Sequence, residues 1–117
     1  MIKGVGIDAV EKERIAQIVK EKPRFAARIL TSNELAYYEQ LSFHRQVEFL
    51  GGRFACKEAF SKAWGTGIGK VGFQEIEVLT NELGAPIVTN SPFQSGCVHV
   101  SITHTQTTIF AQIILEE

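Results

Sequence analysis

The chain has 117 residues, of which 44% are hydrophobic, and its 12 basic and 13 acidic side chains leave a net charge of −1. This size predicts one compact domain over residues 1–117, and no apolar run reaches the roughly 20 residues that cross a bilayer. The near-zero net charge argues against nucleic acid as a general partner, and the lack of a secretory signal at the amino terminus predicts a cytoplasmic location.

The basic residues are unevenly distributed along the chain. All twelve lysine and arginine residues lie within residues 1–70, whereas residues 71–117 carry five acids and no base. The pattern indicates that the front part of the chain meets anions, although a fold that interleaves the two parts would dilute this asymmetry.

A short strand is predicted at the amino terminus. The opening residues alternate, so Val5 and Ile7 share one face of this strand. Gly4, Gly6 and Asp8 share the other face. Asp8 therefore stands at the exit of the strand, where an aspartate is commonly a helix cap.

Three helices are predicted between this strand and the middle of the chain. Apolar residues recur at helical spacing over residues 10–19, and the proline that follows prevents continuation. The segment FAARIL, residues 25–30, favours a second short helix. Thr31 and Glu34 have the spacing of a capping box, which predicts a third helix over residues 31–41.

The longest helix is predicted from Phe43 to Trp64, with Ser42 as its cap and Gly65 as its stop. After it, FQEIEVL, NELG and APIVT have the pattern of a hairpin. VHVSITH and TTIFAQIIL predict two further strands. The fold class is therefore α+β, with helices packed on a mainly antiparallel sheet that the first strand joins, and with one long central helix.

The long helix carries a line of polar groups. Glu58, Ser61, Lys62 and Gly65 are spaced at i, i+3, i+4 and i+7, so a carboxylate, a hydroxyl, an ammonium and bare backbone lie on one face. An exposed ion pair between Glu58 and Lys62, worth about 0.2–0.5 kcal/mol, explains part of this pattern without any function. Magnesium that serves phosphate chemistry needs one or two carboxylates, which Glu58 and Asp8 can provide.

Two further features of this stretch favour an anion nearby. Arg53 and Lys57 are an i,i+4 pair of like charges, which is unfavourable unless an anion balances it. The glycine-rich residues 65–69 follow a helix instead of preceding one, so they are not a P-loop. They allow either a flexible helix exit or a close approach of a phosphorylated ligand to the backbone.

Five segments together resemble a known family over nearly the whole chain: GIDAVEKERI, RFAARILTSNEL, HRQVEFLGGRFACKEA, the overlapping FACKEAFSKAWGTGIG, and VHVSITHT. Asp8 and Arg14, joined to the pattern K-E-A-x-x-K-A-x-G-T-G at residues 57–67, resemble the holo-acyl carrier protein synthases, the short form of the phosphopantetheinyl transferase superfamily. The resemblance implies that coenzyme A donates 4′-phosphopantetheine to a serine of apo-acyl carrier protein, in support of fatty acid biosynthesis. Adenosine 3′,5′-bisphosphate would be released.

The resemblance also implies roles for individual residues. Asp8 and Glu58 would ligate magnesium or manganese, and Glu58 and Lys62 would be catalytic. Basic residues and the helix exit would contact coenzyme A: Arg45, Arg53, Lys57, Ser61, Lys62, Gly65, Thr66, Gly67 and His104. Three arginines would meet the acidic carrier protein: Arg14, Arg24 and Arg28. The general base stays open among Glu58, a metal-bound water and a histidine.

The short form of this superfamily assembles as a homotrimer, and the resemblance implies active sites between subunits of this chain. The strand TTIFAQIIL is a candidate for the shared axis, although an ordinary buried strand has the same composition. His104 shares strand parity with Val98, Val100 and Ile102, which is equally typical of a core or strand-end histidine.

Two other classes of function compete with this interpretation. One is a basic-faced module that binds an acidic protein or a nucleotide without chemistry, which has no reason to place two hard-metal carboxylates together. The other is thiol-dependent hydrolysis through Cys56 and a histidine. Cys56 and Cys97 lack metal-ligand spacing, and both are expected to be reduced and buried.

Overall fold

The computed structural model describes residues 1–65 and 71–117. In chain order the strands and helices are β1 Ile2–Glu11, α1 Lys12–Glu21, α2 Phe25–Ile29, α3 Ser32–Glu39, α4 Phe43–Trp64, a 3-10 turn Phe73–Glu75, β2 Glu77–Thr80, β3 Pro86–Asn90, β4 Cys97–His104 and β5 Thr108–Glu116. The predicted α+β class, with one long helix packed on antiparallel strands, is confirmed.

The strands form two sheets in place of the single sheet expected. One has three antiparallel strands in the order β1-β5-β4, and the other is the β2-β3 hairpin. The hairpin predicted from NELG is present, and its turn has Gly84 at φ 87°, a value that favours glycine.

Strand β1 is longer than predicted. It stays paired with β5 beyond Asp8, through the register pairs Val10 with Ile109 and Glu11 with Thr108. The prediction that a helix begins at Val10 is therefore wrong, because the strand ladder satisfies the backbone of that residue and α1 begins only at Lys12.

The predicted helix ends are mostly confirmed. Thr31 and Glu34 form the reciprocal capping box, and the Ser42 hydroxyl accepts a hydrogen bond from the backbone N–H of Arg45. Gly65 ends α4 in the left-handed conformation with φ 88°. Helix α3 ends at Glu39, two residues before the predicted position.

Two glycines allow β1 to lie directly against α4. A Cβ atom on Gly4 would lie 2.0 Å from the carbonyl oxygen of Ala63, and one on Gly6 would lie 1.9 Å from that of Ala59. The strand therefore runs opposite to the helix with the two backbones in contact. Asp8 is the next residue on the same face of β1, and this packing directs it toward the turn of α4 that carries Glu58.

The core is built around α4. One buried cluster lies between its C-terminal half, β5 and the β2-β3 hairpin, and includes Cys56, Phe60 and Ile113. A second cluster packs α1, α2 and α3 on its N-terminal half, around Ile29 and Leu50. No helix within residues 1–65 and 71–117 has the length and apolarity to cross a membrane.

Candidate active site

Asp8 and Lys62 form an ion pair where β1 meets α4. The Lys62 ammonium donates to Oδ1 of Asp8 at 3.1 Å and to the backbone carbonyl of Ile7 at 2.9 Å. The side chain of Asp8 is 18% exposed and that of Lys62 is 55% exposed, so the ammonium remains within reach of a ligand. The structure thus brings together one predicted metal ligand and one predicted catalytic residue.

Glu58 lies beside this pair. Asp8 and Glu58 line the same cavity of about 460 Å³, together with basic and apolar side chains from α1, α2 and α4: Arg14, Ile15, Ile18, Lys22, Phe25 and Phe54. Burial raises the pKa of Glu58 and the nearby charge of Asp8 raises it further, while Lys62 acts in the opposite direction. Two carboxylates close enough to influence each other are a favourable environment for a cation.

The donor set fits a hard divalent cation of the kind that serves phosphate chemistry. Within the part of the chain that the structure describes, no cluster of three or more His, Cys, Asp or Glu residues is arranged around a metal position. A cation held by Asp8 and Glu58 would therefore need further oxygen ligands from a substrate and from water, which is how magnesium is usually bound in such sites.

Two predicted phosphate ligands point into the protein. Arg53 is buried, and its guanidinium donates to the carbonyl of Val78 and the hydroxyl of Thr80, both at 3.0 Å. Lys57 is fully buried and donates to Oε1 of Glu34 at 2.6 Å. The anion that balances this like-charge pair is an internal carboxylate, so the pattern does not require an external phosphate.

The remaining predictions at the end of α4 differ in outcome. Ser61 is buried and its hydroxyl donates to the carbonyl of Lys57 at 3.0 Å, which does not favour contact with a coenzyme. Gly65 is exposed at the helix end. Thr66 and Gly67 lie outside the described residues.

Arg45 and His104 lie near the other end of α4. Arg45 is exposed in the first turn of the helix, and His104 contacts Lys12 and Glu48. The ten residues from Glu48 to Glu58 correspond to about 15 Å along the helix axis. One chain therefore does not bring these two residues to the Asp8 and Glu58 pair.

The arginines predicted to meet a carrier protein are all exposed. Arg14 projects from α1 and lines the cavity that contains Asp8 and Glu58. Arg24 and Arg28 stand at the start and in the last turn of α2. None of the three forms an ion pair within the described residues, so their charges are available to a partner.

The structure argues against thiol chemistry at Cys56. Its side chain is fully buried, and burial raises the pKa of the thiol to about 12. A thiol in this state is neither ionised nor accessible, so it cannot serve as a nucleophile. Cys97 is exposed, which corrects the expectation that both cysteines are buried.

The comparison with known proteins identifies the class of fold. Residues 4–113 match the profile of the 4′-phosphopantetheinyl transferase superfamily. The crystal structure of a Bacillus anthracis holo-(acyl-carrier-protein) synthase in complex with CoA (3′,5′-ADP) has 45% identity and a TM-score of 0.89, over 97% of this chain and 96% of that one. The Neisseria meningitidis synthase has 37% identity and a TM-score of 0.88, with all of both chains covered.

Sequence relatives give the same result at higher identity. The Enterococcus faecalis holo-[acyl-carrier-protein] synthase is 66% identical over 116 residues, which cover 99% of this chain and 98% of the relative. The Lactobacillus johnsonii synthase is 53% identical over 118 residues, which cover 100% of this chain and 98% of the relative. The chain belongs to the holo-acyl carrier protein synthase family of the 4′-phosphopantetheinyl transferase superfamily, as its motifs predict.

Proposed function

We propose that this chain carries out the reaction of its family with Asp8, Glu58 and Lys62 at the centre of the active site. The 4′-phosphopantetheine group of coenzyme A is transferred to a serine of apo-acyl carrier protein, giving holo-acyl carrier protein and adenosine 3′,5′-bisphosphate. The observation that supports this assignment is that Asp8 and Glu58 line a single cavity, and that the Lys62 ammonium pairs with Asp8 at 3.1 Å. We assign the reaction to the cytoplasm, in support of fatty acid biosynthesis.

The three residues divide the work of phosphoryl transfer. Asp8 and Glu58 would hold magnesium or manganese, which when bound neutralises charge on the pyrophosphate of coenzyme A. The ammonium of Lys62 is about half exposed and is held in place by its ion pair with Asp8. It would pair with the phosphate under attack. The attacking group is the serine hydroxyl of the carrier, so this chemistry needs positioning and charge neutralisation but no protein nucleophile.

The carrier protein would approach along α1 and α2. Arg14, Arg24 and Arg28 are exposed there, and Arg14 also lines the cavity with Asp8 and Glu58. Carboxylates on the carrier would pair with these arginines and bring its serine to the cavity. Charge complementarity of this kind mainly sets the association rate and the orientation of the partner.

We further propose a homotrimer with active sites between subunits. Val5 and Ile7 are more than half exposed on the outer face of the three-stranded sheet, where an unpartnered apolar strand face is unfavourable. Arg45, in the first turn of α4, and His104, which lies beside Glu48 at the end of β4, are both distant from the carboxylates of their own chain. A neighbouring copy packed on this sheet would bring its own Arg45 and His104 to the coenzyme bound at the first chain. This arrangement supports the assignment of both residues to a site shared between subunits.

The transfer is tested by incubating the protein with coenzyme A, magnesium and purified apo-acyl carrier protein, followed by intact mass measurement of the carrier. We expect a phosphopantetheine increment that disappears with a chelator and with a carrier whose acceptor serine is replaced by alanine. Glu58→Gln should fold normally and give no increment. A lack of increment with several carriers would instead favour a basic-faced module that binds an acidic protein or a nucleotide without chemistry.

A further inference from the structure

A second group of charged side chains surrounds Glu48, on the N-terminal half of α4. Its Oε2 atom accepts a hydrogen bond from the Lys12 ammonium at 3.1 Å. The same atom lies 3.5 Å from Nε2 of His44 and 3.7 Å from Nδ1 of His104. Burial opposes the ionisation of Glu48, but the hydrogen bond from Lys12 and the neighbouring basic groups outweigh it and lower the pKa of this carboxylate.

The contact between Lys12 and His104 favours one tautomer of the neutral imidazole ring. The Lys12 ammonium lies 3.3 Å from Nδ1 of His104. An ammonium has three donors and no acceptor, so a neutral imidazole that hydrogen-bonds to it accepts at the nitrogen that faces it. In a neutral imidazole only one nitrogen carries a hydrogen, and accepting at Nδ1 places that hydrogen on Nε2.

The backbone around these two residues is also connected. The backbone N–H of Lys12 donates to the carbonyl of Thr107 at 2.8 Å, which ties the start of α1 to the turn between β4 and β5. The backbone N–H of Thr105 donates to the carbonyl of Thr108 at 2.8 Å within that turn. His104 immediately precedes the turn, so its main chain is held in a fixed position relative to Lys12.

The other side of this group is open to a ligand. The side chain of Lys12 is 16% exposed, whereas that of His104 is 49% exposed. Lys12, His44, His104 and Gln106 line a shallow cavity of about 480 Å³. Within residues 1–65 and 71–117, no hydrogen-bond partner is found for Nε2 of His104.

We propose that Lys12 and Glu48 are positioning residues that hold His104 in the tautomer with the hydrogen on Nε2, so that the ring presents an N–H donor to a coenzyme A phosphate. Lys12 sets the tautomer by donating to Nδ1, and Glu48 sets the place of Lys12. This proposal rests on the proposed function in one respect, namely that His104 contacts the coenzyme.

The tautomer is measured directly by two-dimensional ¹H–¹⁵N correlation of the imidazole nitrogens at about pH 8.5, where an ordinary imidazole is neutral. His104 is assigned with His104→Asn. We expect wild-type His104 to show the pattern of the Nε2–H form. Lys12→Met should produce a mixture with the Nδ1–H form, and Lys12→Arg, which keeps a cationic donor, should restore the wild-type pattern.

The controls use other residues of the same chain. Lys20→Met removes a lysine of the same helix whose ammonium lies over the ring of Phe43, and it should leave the His104 pattern unchanged. Glu48→Gln should give a smaller shift toward the mixture, because it frees the Lys12 ammonium without removing it. Circular dichroism verifies that each variant is folded before its spectrum is interpreted.

The kinetic consequence is measured in the transfer assay. Lys12→Met should raise the KM for coenzyme A about three- to tenfold, the effect of losing one hydrogen bond, with little change in kcat. A wild-type spectrum of the Nδ1–H form, a Lys12→Met spectrum identical to wild type, or an unchanged KM would each overturn the proposal. Wild-type protein with the expected spectrum but without transfer activity would contradict the proposed function alone.

Discussion

The ammonium of Lys57 lies 2.6 Å from Oε1 of Glu34, and neither side chain is exposed. The remaining hydrogen bonds of this pair are also satisfied, because Lys57 donates to the carbonyl of Ile29 and Glu34 accepts from the backbone N–H groups of Thr31 and Val78. The pair therefore joins α2, α3 and β2 to α4. Lys57 immediately precedes Glu58, so the inward-facing lysine and the cavity-lining glutamate occupy adjacent positions of α4.

Lys57→Met is expected to destabilise the protein by about 3–5 kcal/mol, because it leaves the Glu34 carboxylate buried without a counter-charge. Glu34→Gln with Lys57→Met should recover part of this loss, since the double variant buries no charge. Urea unfolding of the single and double variants gives the coupling energy. Lys62→Met is the matched control, and it should cost less than about 1 kcal/mol because its ion pair is exposed.

The same variant separates the internal role of Lys57 from phosphate binding. If Lys57→Met is as stable as wild type but has a strongly raised KM for coenzyme A, the lysine acts on the ligand and the internal assignment is wrong. We expect the reverse, with a large loss of stability and a KM for the folded fraction close to that of wild type.

Gly6→Ala tests how closely β1 approaches α4. The new Cβ atom would lie 1.9 Å from the carbonyl oxygen of Ala59, so the strand or the helix has to move. We expect a loss of stability in the upper range for single substitutions, about 4 kcal/mol or more, and weaker binding of manganese because Asp8 moves away from Glu58. Thermal unfolding and manganese titration measure the two effects.

Gly52→Ala serves as the control for Gly6→Ala. A Cβ atom on Gly52 would meet only the Ile102 side chain, at an ordinary contact distance of 3.4 Å. Gly52 lies within α4, where alanine favours the helix more than glycine does. We expect it to keep wild-type manganese affinity with a change in stability of at most about 1 kcal/mol. Equal losses in the two variants would mean that the contact at Gly6 has no special role.

Local chemistry explains why several elements are predictable from the sequence. The Thr31 capping box, the Ser42 cap and the Gly65 stop depend on residues a few positions apart, and all three are present. The boundary at Val10 is not predictable in this way. It depends on pairing with Ile109, a residue distant in sequence, and that pairing overrides the helical periodicity.

In the candidate site, too, some features are predictable from the sequence and others depend on residues distant in the chain. Asp8, Glu58 and Lys62 are identified by motif; in the structure Asp8 and Glu58 line one cavity, and Lys62 forms an ion pair with Asp8. The inward orientation of Lys57 is not visible in the sequence, because a lysine on an amphipathic helix is normally solvated and its partner Glu34 is 23 residues away. The group around Glu48 has only a weak sequence signal, the i,i+4 spacing of His44 and Glu48.

Cys56→Ala is expected to keep wild-type activity. The thiol is fully buried with a pKa of about 12, so it takes no part in the chemistry, and alanine fits the same apolar environment with the loss of one sulfur atom. Peptide mass mapping after iodoacetamide treatment of native protein should find Cys56 unmodified. Loss of activity in a folded Cys56→Ala variant, or rapid alkylation of Cys56, would support the thiol-dependent alternative.

The exposed arginines are expected to determine how salt affects the reaction. Replacing Arg14, Arg24 or Arg28 by glutamine should raise the KM for the carrier protein and reduce its dependence on salt between about 50 and 300 mM, since exposed charges are screened within about 8–10 Å. The KM for coenzyme A should change little for Arg24 and Arg28. Steady-state kinetics at several salt concentrations measure these effects, and a salt-independent wild-type KM would exclude a charged docking surface.

Glu58 is expected to couple metal binding to pH. Burial and then the charge of Asp8 raise its pKa, so the metal-free folded protein holds this proton more tightly than the unfolded chain does. The free energy of unfolding of the metal-free protein should therefore fall as the pH rises from the ordinary glutamate value through the raised value. Manganese needs the ionised carboxylate, so its affinity should rise over the same interval.

Glu58→Gln removes both dependences, because the amide does not titrate. We expect this variant to bind manganese weakly at every pH and, without metal, to unfold at a temperature equal to or about 1–3 °C above that of wild type at neutral pH, since it relieves the repulsion from Asp8. Manganese titrations and thermal unfolding between about pH 4.5 and pH 7 measure both quantities. Tight manganese binding by Glu58→Gln would show that the cation does not use this carboxylate, and the site would then have to be reassigned to Asp8 with other ligands.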